Sequence, residues 1–324
     1  YIFRVSSPGK NRTFPAKKDT VLLMQKHIRD RPVLKEKSAI TMLLKEIKEI
    51  YHRELDEIYP REEVDSMFYL MIEHFLGLER FILAIDPEIV ITKEEEQYMF
   101  EGLSKLKKEQ PIQYVLGETT FMDLKFMVNE SVLIPRPETE ELVNWVLEDI
   151  ENINDVSEII DIGTGSGCIA ISLAKLKPNL EVSAIDISGS ALELAKKNAL
   201  LNEVDVQFNL VDILKTGSLR KKYDIIISNP PYVREMERDK MRNNVLENEP
   251  YSALFVPDDN PLLFYRAIAK LAKESLKENG VLYFEINQYL GEEVKTLLKN
   301  FNFSDVELRK DIFGKDRMIK AKLP

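Results

Sequence analysis

Four consecutive residues stand out in this 324-residue chain: Asn229, Pro230, Pro231 and Tyr232, directly after the apolar run Tyr223 to Ser228. A strand ending in Asn presents a carboxamide at its tip, two prolines stiffen the turn that follows, and an aromatic ring can lie on a flat group. Such a turn can grip a planar NH2. The lone pair of a conjugated amine or amide is delocalised, so an acceptor placed on each N–H helps by orienting the nitrogen and favouring the pyramidal, reactive geometry. The carboxamide oxygen of Asn229 and the backbone carbonyl of Pro230 are the candidate acceptors, with Tyr232 stacked on the target plane. Positioning and hydrogen bonding would then carry the chemistry without a covalent enzyme intermediate. The chemistry this predicts is methyl transfer onto nitrogen.

A second cluster supplies a pocket for the methyl donor. The run Ile159-Ile160-Asp161-Ile162 leads into Gly163, Thr164, Gly165, Ser166 and Gly167, a strand entering a glycine turn that opens a helix. Glycines let a ligand approach the backbone closely. Alone, such a turn serves a dinucleotide equally well. Asp186 follows at the next strand end, where a carboxylate can accept from ribose hydroxyls. Asp212 and Ile213 close the third strand, where the carboxylate can take an adenine amino group and Ile213 can cover the ring. Cofactor candidates are therefore Asp161, Gly163 to Gly167, Asp186, Asp212, Ile213 and Asn229. The Asn-Pro-Pro-Tyr end of the fourth strand decides between NAD and S-adenosylmethionine in favour of the latter, with S-adenosyl-L-homocysteine as product.

These residues need a parallel sheet to bring four strand ends together. From residue 159 onward strands alternate with helices: strands are expected at 158–161, 181–186, 206–211, 223–228 and 280–286, helices at 169–176, 191–201 and 261–277, and a closing hairpin at 303–308 and 317–323. The expected class is α/β, a doubly wound, mostly parallel, seven-stranded Rossmann-like domain over 134–324. Ahead of it, apolar residues at three- and four-residue spacing (Ile40 to Tyr51, Val64 to Phe75, Tyr98 to Leu106) predict a small helical bundle over 38–110. Residues 110–128 switch to β-type side chains, which predicts a hairpin linker over 111–133. Trp145, at helical spacing from Leu142, is expected in the core. So is Cys168, although a helix start can lower a thiol pKa. The charged runs Lys93 to Glu96 and Arg234 to Lys240 read as solvated helix faces, the latter also as a mobile flap over the substrate loop.

Composition narrows the function classes. Apolar residues make up 44% of the chain, enough for a packed core, and charge interrupts every apolar run before it could cross a bilayer. A single cysteine excludes an internal disulfide framework, and three scattered histidines argue against a metal site. A cytoplasmic monomer without membrane attachment is expected. A net charge of -10 argues against stable nucleic-acid binding. Residues 1–37 depart from that balance, with ten Lys or Arg against three Asp or Glu. They read as a basic tail, disordered or non-native given the missing initial Met, with an organelle-targeting segment as the alternative.

Residues 38 to 324 resemble the release-factor glutamine methyltransferases (HemK/PrmC), within the class I S-adenosylmethionine-dependent methyltransferases. The resemblance rests on Pro111-Ile112-Gln113-Tyr114-Val115-Leu116-Gly117 and on Val132-Leu133-Ile134-Pro135-Arg136-Pro137-Glu138-Thr139-Glu140. It also includes the glycine turn, Asn229 to Tyr232, Glu249-Pro250 with Ala253-Leu254, and Lys310-Asp311 with Asp316-Arg317. The tetrapeptide alone is shared with DNA adenine and RNA methyltransferases, so an exocyclic-amine methyltransferase is the alternative; a non-catalytic binding module is a third. What the resemblance implies is methyl transfer to the side-chain amide (N5) of the glutamine in the Gly-Gly-Gln loop of peptide chain release factors, which modulates translation termination. It further implies that the helical front end helps hold this protein substrate and is hinged by the hairpin. Asn229, Pro230, Pro231 and Tyr232 would contact the substrate, with Asn229, Pro230 and Tyr232 catalytic, and Arg136 and Glu138 to Glu140 would border the pocket. Three positions depart from the family pattern: Ile213 for an aromatic, Asn287 for a glycine, and Asp259-Asn260-Pro261 for Asp-Gly. The last two are expected to lie away from the chemistry.

Overall fold

The computed structural model describes residues 42–151 and 156–324. The basic tail read over 1–37 lies outside them. The chain divides into two compact units at Lys107/Lys108. Among the described residues no helix is long and apolar enough to cross a membrane.

The first unit is helical: α1 (Leu44–Leu55), α2 (Arg61–Leu76), the single turn α3 (Ile82–Ile85) and α4 (Lys93–Leu106). Leu44, Ile47, Tyr51 and Leu55 form the buried stripe of α1 and meet Val64, Phe68 and Met71 of α2. Two tyrosines bridge the helices: the Tyr51 hydroxyl donates to the Met99 carbonyl at 2.6 Å and the Tyr59 hydroxyl to that of Leu106 at 3.0 Å. Thr92 caps α4 with Glu95 in a reciprocal box. The expectation of a solvated face at 93–96 fails at Glu96, which is buried and accepts the Met42 N–H at 2.8 Å.

The second unit opens with α5 (Ile112–Leu116), then the hairpin β1 (Glu118–Phe121) and β2 (Leu124–Met127). The β-type residues of 111–117 therefore form one helical turn, not a strand. Pro111 sits at its N-cap and Gly117 ends it at φ 73°, while burial of Tyr114, whose hydroxyl donates to the Val132 carbonyl, outweighs strand propensity. Then follow α6 (Pro137–Ile150), β3 (Glu158–Ile162), α7 (Cys168–Leu176), β4 (Glu181–Asp186), α8 (Gly189–Leu201), β5 (Gln207–Leu210) and β6 (Tyr223–Ser228). After β6 come the short β7 (Val233–Arg234), a 3-10 helix (Glu235–Lys240), α9 (Asn243–Leu246), α10 (Tyr251–Leu254) and β8 (Phe255–Val256). The chain closes with α11 (Leu263–Ser275), β9 (Leu276–Glu285), α12 (Gly291–Asn300), β10 (Ser304–Lys310) and β11 (Asp316–Lys322).

Seven strands form one sheet in the order β10-β11-β9-β6-β3-β4-β5, parallel from β9 to β5 and antiparallel at the β11 and β10 edge. This is the doubly wound architecture expected from the alternation of elements. Both faces are covered. Ile159, Ile225 and Ile227 face one apolar cluster with Trp145 and Leu173, while Ile160, Ile162 and Ile226 face another with Tyr265 and Leu271. The helices α6 and α12, which the periodicity did not resolve, complete the two layers.

The hairpin is fixed to this domain by α8. Asn198, fully buried, accepts the Met127 N–H at 2.7 Å and donates to the carbonyls of Met127 and Ser166 at 3.0 and 2.9 Å, while Asn202 donates to the Lys125 carbonyl. One carboxamide thus ties the hairpin to the glycine turn. Replacing Asn198 by Ala takes its partner from the buried Ser166 carbonyl and from the half-buried N–H and carbonyl of Met127, and we expect urea unfolding to show a loss of about 2 to 4 kcal/mol.

Candidate active site

From β3 the chain winds outward through β4 and β5, then returns to place β6 on the other side of β3. The carboxyl ends of β3 and β6 flank this reversal, which is the crevice where ligands bind in open α/β sheets. The glycine turn follows β3, Asp186 ends β4, Asp212 follows β5 and Asn229 follows β6. The fold therefore brings to one rim of the sheet the four strand ends singled out in the sequence.

The glycine turn is built for close approach. Gly163, Gly165 and Gly167 have φ of 75°, 55° and 84°, and a Cβ on either of the first two would point into open space. The Gly165 N–H donates to Asp186 at 2.9 Å, and the Ser188 N–H to the other oxygen of the same carboxylate at 2.8 Å. Asp161 is fully buried at the base of the turn. One of its oxygens accepts the Thr164 hydroxyl at 2.6 Å and the other has no donor in good hydrogen-bond geometry, although the Ala170 N–H at the start of α7 acts on the carboxyl. Burial pushes its pKa up to about 7, against the opposing Thr164 hydrogen bond. A buried carboxylate oxygen lacking a well-placed donor, beside an open glycine turn, suits a ligand carrying an ammonium group and ribose hydroxyls. Asp212 is committed locally: its oxygens engage the Leu214 N–H and, at 2.8 Å, Lys215, which lowers its pKa. Ile213 packs against the second apolar cluster.

Across the crevice, the tetrapeptide is held by residues far away in sequence. The Glu285 carboxylate, at the end of β9, is buried and accepts the Thr139 hydroxyl at 2.6 Å and the Tyr232 hydroxyl at 2.9 Å. Thr139 in turn accepts from the Asn229 Nδ2 at 3.2 Å. Burial raises the Glu285 pKa, opposed by both hydroxyls and by Arg317, and the same burial lifts the Tyr232 phenol well above its usual value. Pro230 is buried and Pro231 half-buried.

The bordering residues divide. Arg136 forms an ion pair with buried Glu249 at 2.5 Å, and Glu249 also accepts the Ile134 N–H. Glu140 points to the hairpin, accepting the Met122 N–H at 2.7 Å. Within the Glu138 to Glu140 run it is the middle residue, Thr139, that meets the tetrapeptide; Glu138 is half-buried and acts on Glu285 through its charge.

Two expectations need correction. Asn287 does touch the tetrapeptide, donating to the Tyr232 carbonyl at 3.0 Å and to Glu237 at 2.8 Å. Residues 234–240 are not a uniformly solvated face, because Glu237 is buried against Arg234 and Asn287. Those two partners hold its carboxyl low despite burial. Cys168 is the buried core residue expected, but burial drives its pKa up to about 12 and overrides the helix-start effect. Asp311 and Arg317 pair at 3.2 Å behind Glu285, where the sequence offered a motif but no partner. Glu285 was missed as a candidate site residue, and Thr139 was covered only as a member of the Glu138 to Glu140 run. Only the buried Glu at the end of an apolar strand could have flagged Glu285.

Relatives decide the family. Residues 51–117 match the PrmC N-terminal domain and residues 144–255 the Methyltransferase small domain. A release factor glutamine methyltransferase of Flavobacterium psychrophilum is 50% identical over 86% of this chain and 99% of its own length. One from Bacteroides thetaiotaomicron is 42% identical over 82% and 95%. The chain belongs to the release factor glutamine methyltransferase family. As a member of that family it is an S-adenosylmethionine-dependent methyltransferase, and the residues at the glycine turn suit that donor. Most of the turn amides are already bonded, to the Ile185 and Thr164 carbonyls and to Asp186, so the groups that would hold it are the Asp161 and Asp186 carboxylates beside the open faces of Gly163 and Gly165.

The raised Asp161 pKa has a stability consequence. Folded and unfolded carboxyls are both protonated below about pH 4. Above pH 7 the folded chain carries a buried charge, so the group costs stability progressively as pH rises through that interval. Asp161→Asn cannot ionise. Without the methyl donor, the variant is expected to melt above the wild type at pH 8 and to show a clearly smaller advantage at pH 5; equal differences at both pH values would show that Asp161 is not raised.

Proposed function

We propose that this chain transfers the methyl group of S-adenosyl-L-methionine to the side-chain amide nitrogen (N5) of the glutamine in the Gly-Gly-Gln loop of peptide chain release factors, leaving S-adenosyl-L-homocysteine. The observation that carries the reading is the state of Asn229 at the sheet reversal. Its Nδ2 is occupied by Thr139, which leaves Oδ1 as the acceptor offered to an incoming NH2. The names of relatives that span almost their full length on this chain supply the substrate.

In this reading Asn229 Oδ1 and the Pro230 carbonyl each take one N–H of the glutamine amide. Two acceptors on one nitrogen turn its lone pair out of conjugation and fix its direction. Tyr232, anchored at its hydroxyl by Glu285, offers its ring face to the amide plane. Proline restricts the backbone so that the acceptor carbonyl does not swing. The donor supplies an activated methyl group; the nitrogen gains that carbon and sheds a proton, so the sulfonium charge leaves as H+. The helical unit that begins at α1 is the proposed holder of the protein substrate, and Arg136 and Glu138 border the glutamine pocket.

The test is a parallel transfer assay with labelled donor on an intact release factor, its Gly-Gly-Gln→Gly-Gly-Ala variant and bulk RNA. Label is expected on the intact factor alone. Asn229→Ala is expected to lower turnover by about 100-fold or more, the scale for loss of one preorganised hydrogen-bonding group. Label in RNA with none in protein would assign the chain to exocyclic-amine chemistry instead.

A further inference from the structure

We infer that Thr139 and Glu285 are positioning residues that set which end of the Asn229 carboxamide faces the substrate. The inference rests on the reading of Asn229 given above and deepens it. A carboxamide has two nearly isosteric ends, one donating and one accepting, and only the oxygen can receive an N–H. Shape alone does not choose between them. A chain of obligate hydrogen-bond directions does.

The chain starts at Glu285. Its carboxylate can only accept, and its two oxygens receive the hydroxyls of Thr139 and Tyr232 at 2.6 and 2.9 Å. Thr139 has a single hydroxyl proton, spent on Glu285, so toward Asn229 it can only accept. Asn229 must therefore turn its NH2 inward, at 3.2 Å, and its oxygen away from Thr139. Burial opposes the charged form of Glu285, the Thr139 and Tyr232 hydroxyls and Arg317 favour it, and Glu138 opposes it. Thr139 and Glu285 are 2% and 1% exposed, so no water competes for the links. The same carboxylate steadies the Tyr232 ring, so one buried group orients both substrate-facing side chains.

Three variants separate this relay from packing. Thr139→Val keeps the shape and removes the hydroxyl, whereas Thr139→Ser keeps the hydroxyl and removes a methyl. Glu285→Gln keeps the shape but adds a donor that can reverse the direction of the Thr139 bond. In the release-factor assay with the full chain, the relay predicts that kcat falls about 10- to 100-fold in Thr139→Val and Glu285→Gln, more than KM rises, while Thr139→Ser stays within about threefold of wild type. Simple packing predicts the reverse order, Val active and Ser impaired. Full turnover by Thr139→Val beside an inactive Asn229→Ala would overturn the relay and leave the role of Asn229 standing. An active Asn229→Ala would remove both. Thermal melting of Thr139→Val within a few degrees of wild type, together with low kcat, completes the expected result.

Discussion

The site depends on the parallel pairing of β3 with β6, because that pair sets the glycine turn and Asn229 side by side. Register in an amphipathic sheet is fixed by polarity, since a one-residue slip carries apolar side chains into water. Here both faces are apolar and that discrimination is weak. Side chains at the two ends of the pair supply it instead. At the start, Asp224 accepts the backbone N–H groups of Ser157 and Glu158 at 3.0 and 2.8 Å. At the other end Ser228 donates to the Ile162 carbonyl at 2.7 Å, between register partners. A slip would break both clamps and strand polar groups in the interior.

From this pair the polar groups extend outward in two directions. Around the glycine turn Asp161, Thr164, Gly165 and Asp186 are linked. Around the tetrapeptide Glu285, Thr139, Tyr232 and Asn229 form one hydrogen-bonded chain, and Asn287 joins the Tyr232 carbonyl to Glu237 in the 3-10 helix. The departure from glycine at Asn287 is thus not neutral. It provides a side chain that fastens the segment after the tetrapeptide with two hydrogen bonds that a glycine could not make.

Most of the sheet was legible because its strands are short apolar runs bounded by turn residues; 181–186 and 223–228 match the observed bounds, and β5 differs by one residue at each end. Residues 111–117 misled because propensity is local, whereas burial of Tyr114 and the positive φ at Gly117 are tertiary and backbone facts. α12 was missed since it starts at Gly291 and buries little beyond Val294 and Leu298. The site split along the same line. Strand-end residues could be read because the fold puts the carboxyl ends of the parallel strands β3, β4, β5, β6 and β9 on one rim. Thr139 and Glu285 lie 146 positions apart, and Arg136 and Glu249 lie 113 apart, separations at which no spacing rule operates.

The placement of two buried carboxylates at this site follows from what each has to do. A buried ionisable group is costly unless fully paired. Glu285 has two hydroxyl donors and a nearby guanidinium, and what it secures is direction: only an acceptor-only group can force a hydroxyl, and then a carboxamide, into one orientation. A neutral side chain of the same size could fill the space without choosing. Asp161 has the Thr164 hydroxyl on one oxygen and, beyond that, only the Ala170 N–H acting on it, too little to offset its burial, so its charge stays costly in the chain alone. One carboxylate is paired on both oxygens and fixes the direction of its partners; the other is buried with one oxygen poorly paired. On the proposed reading, that difference separates a half of the site that is rigid before substrate arrives from a half that would gain stability when a donor is held.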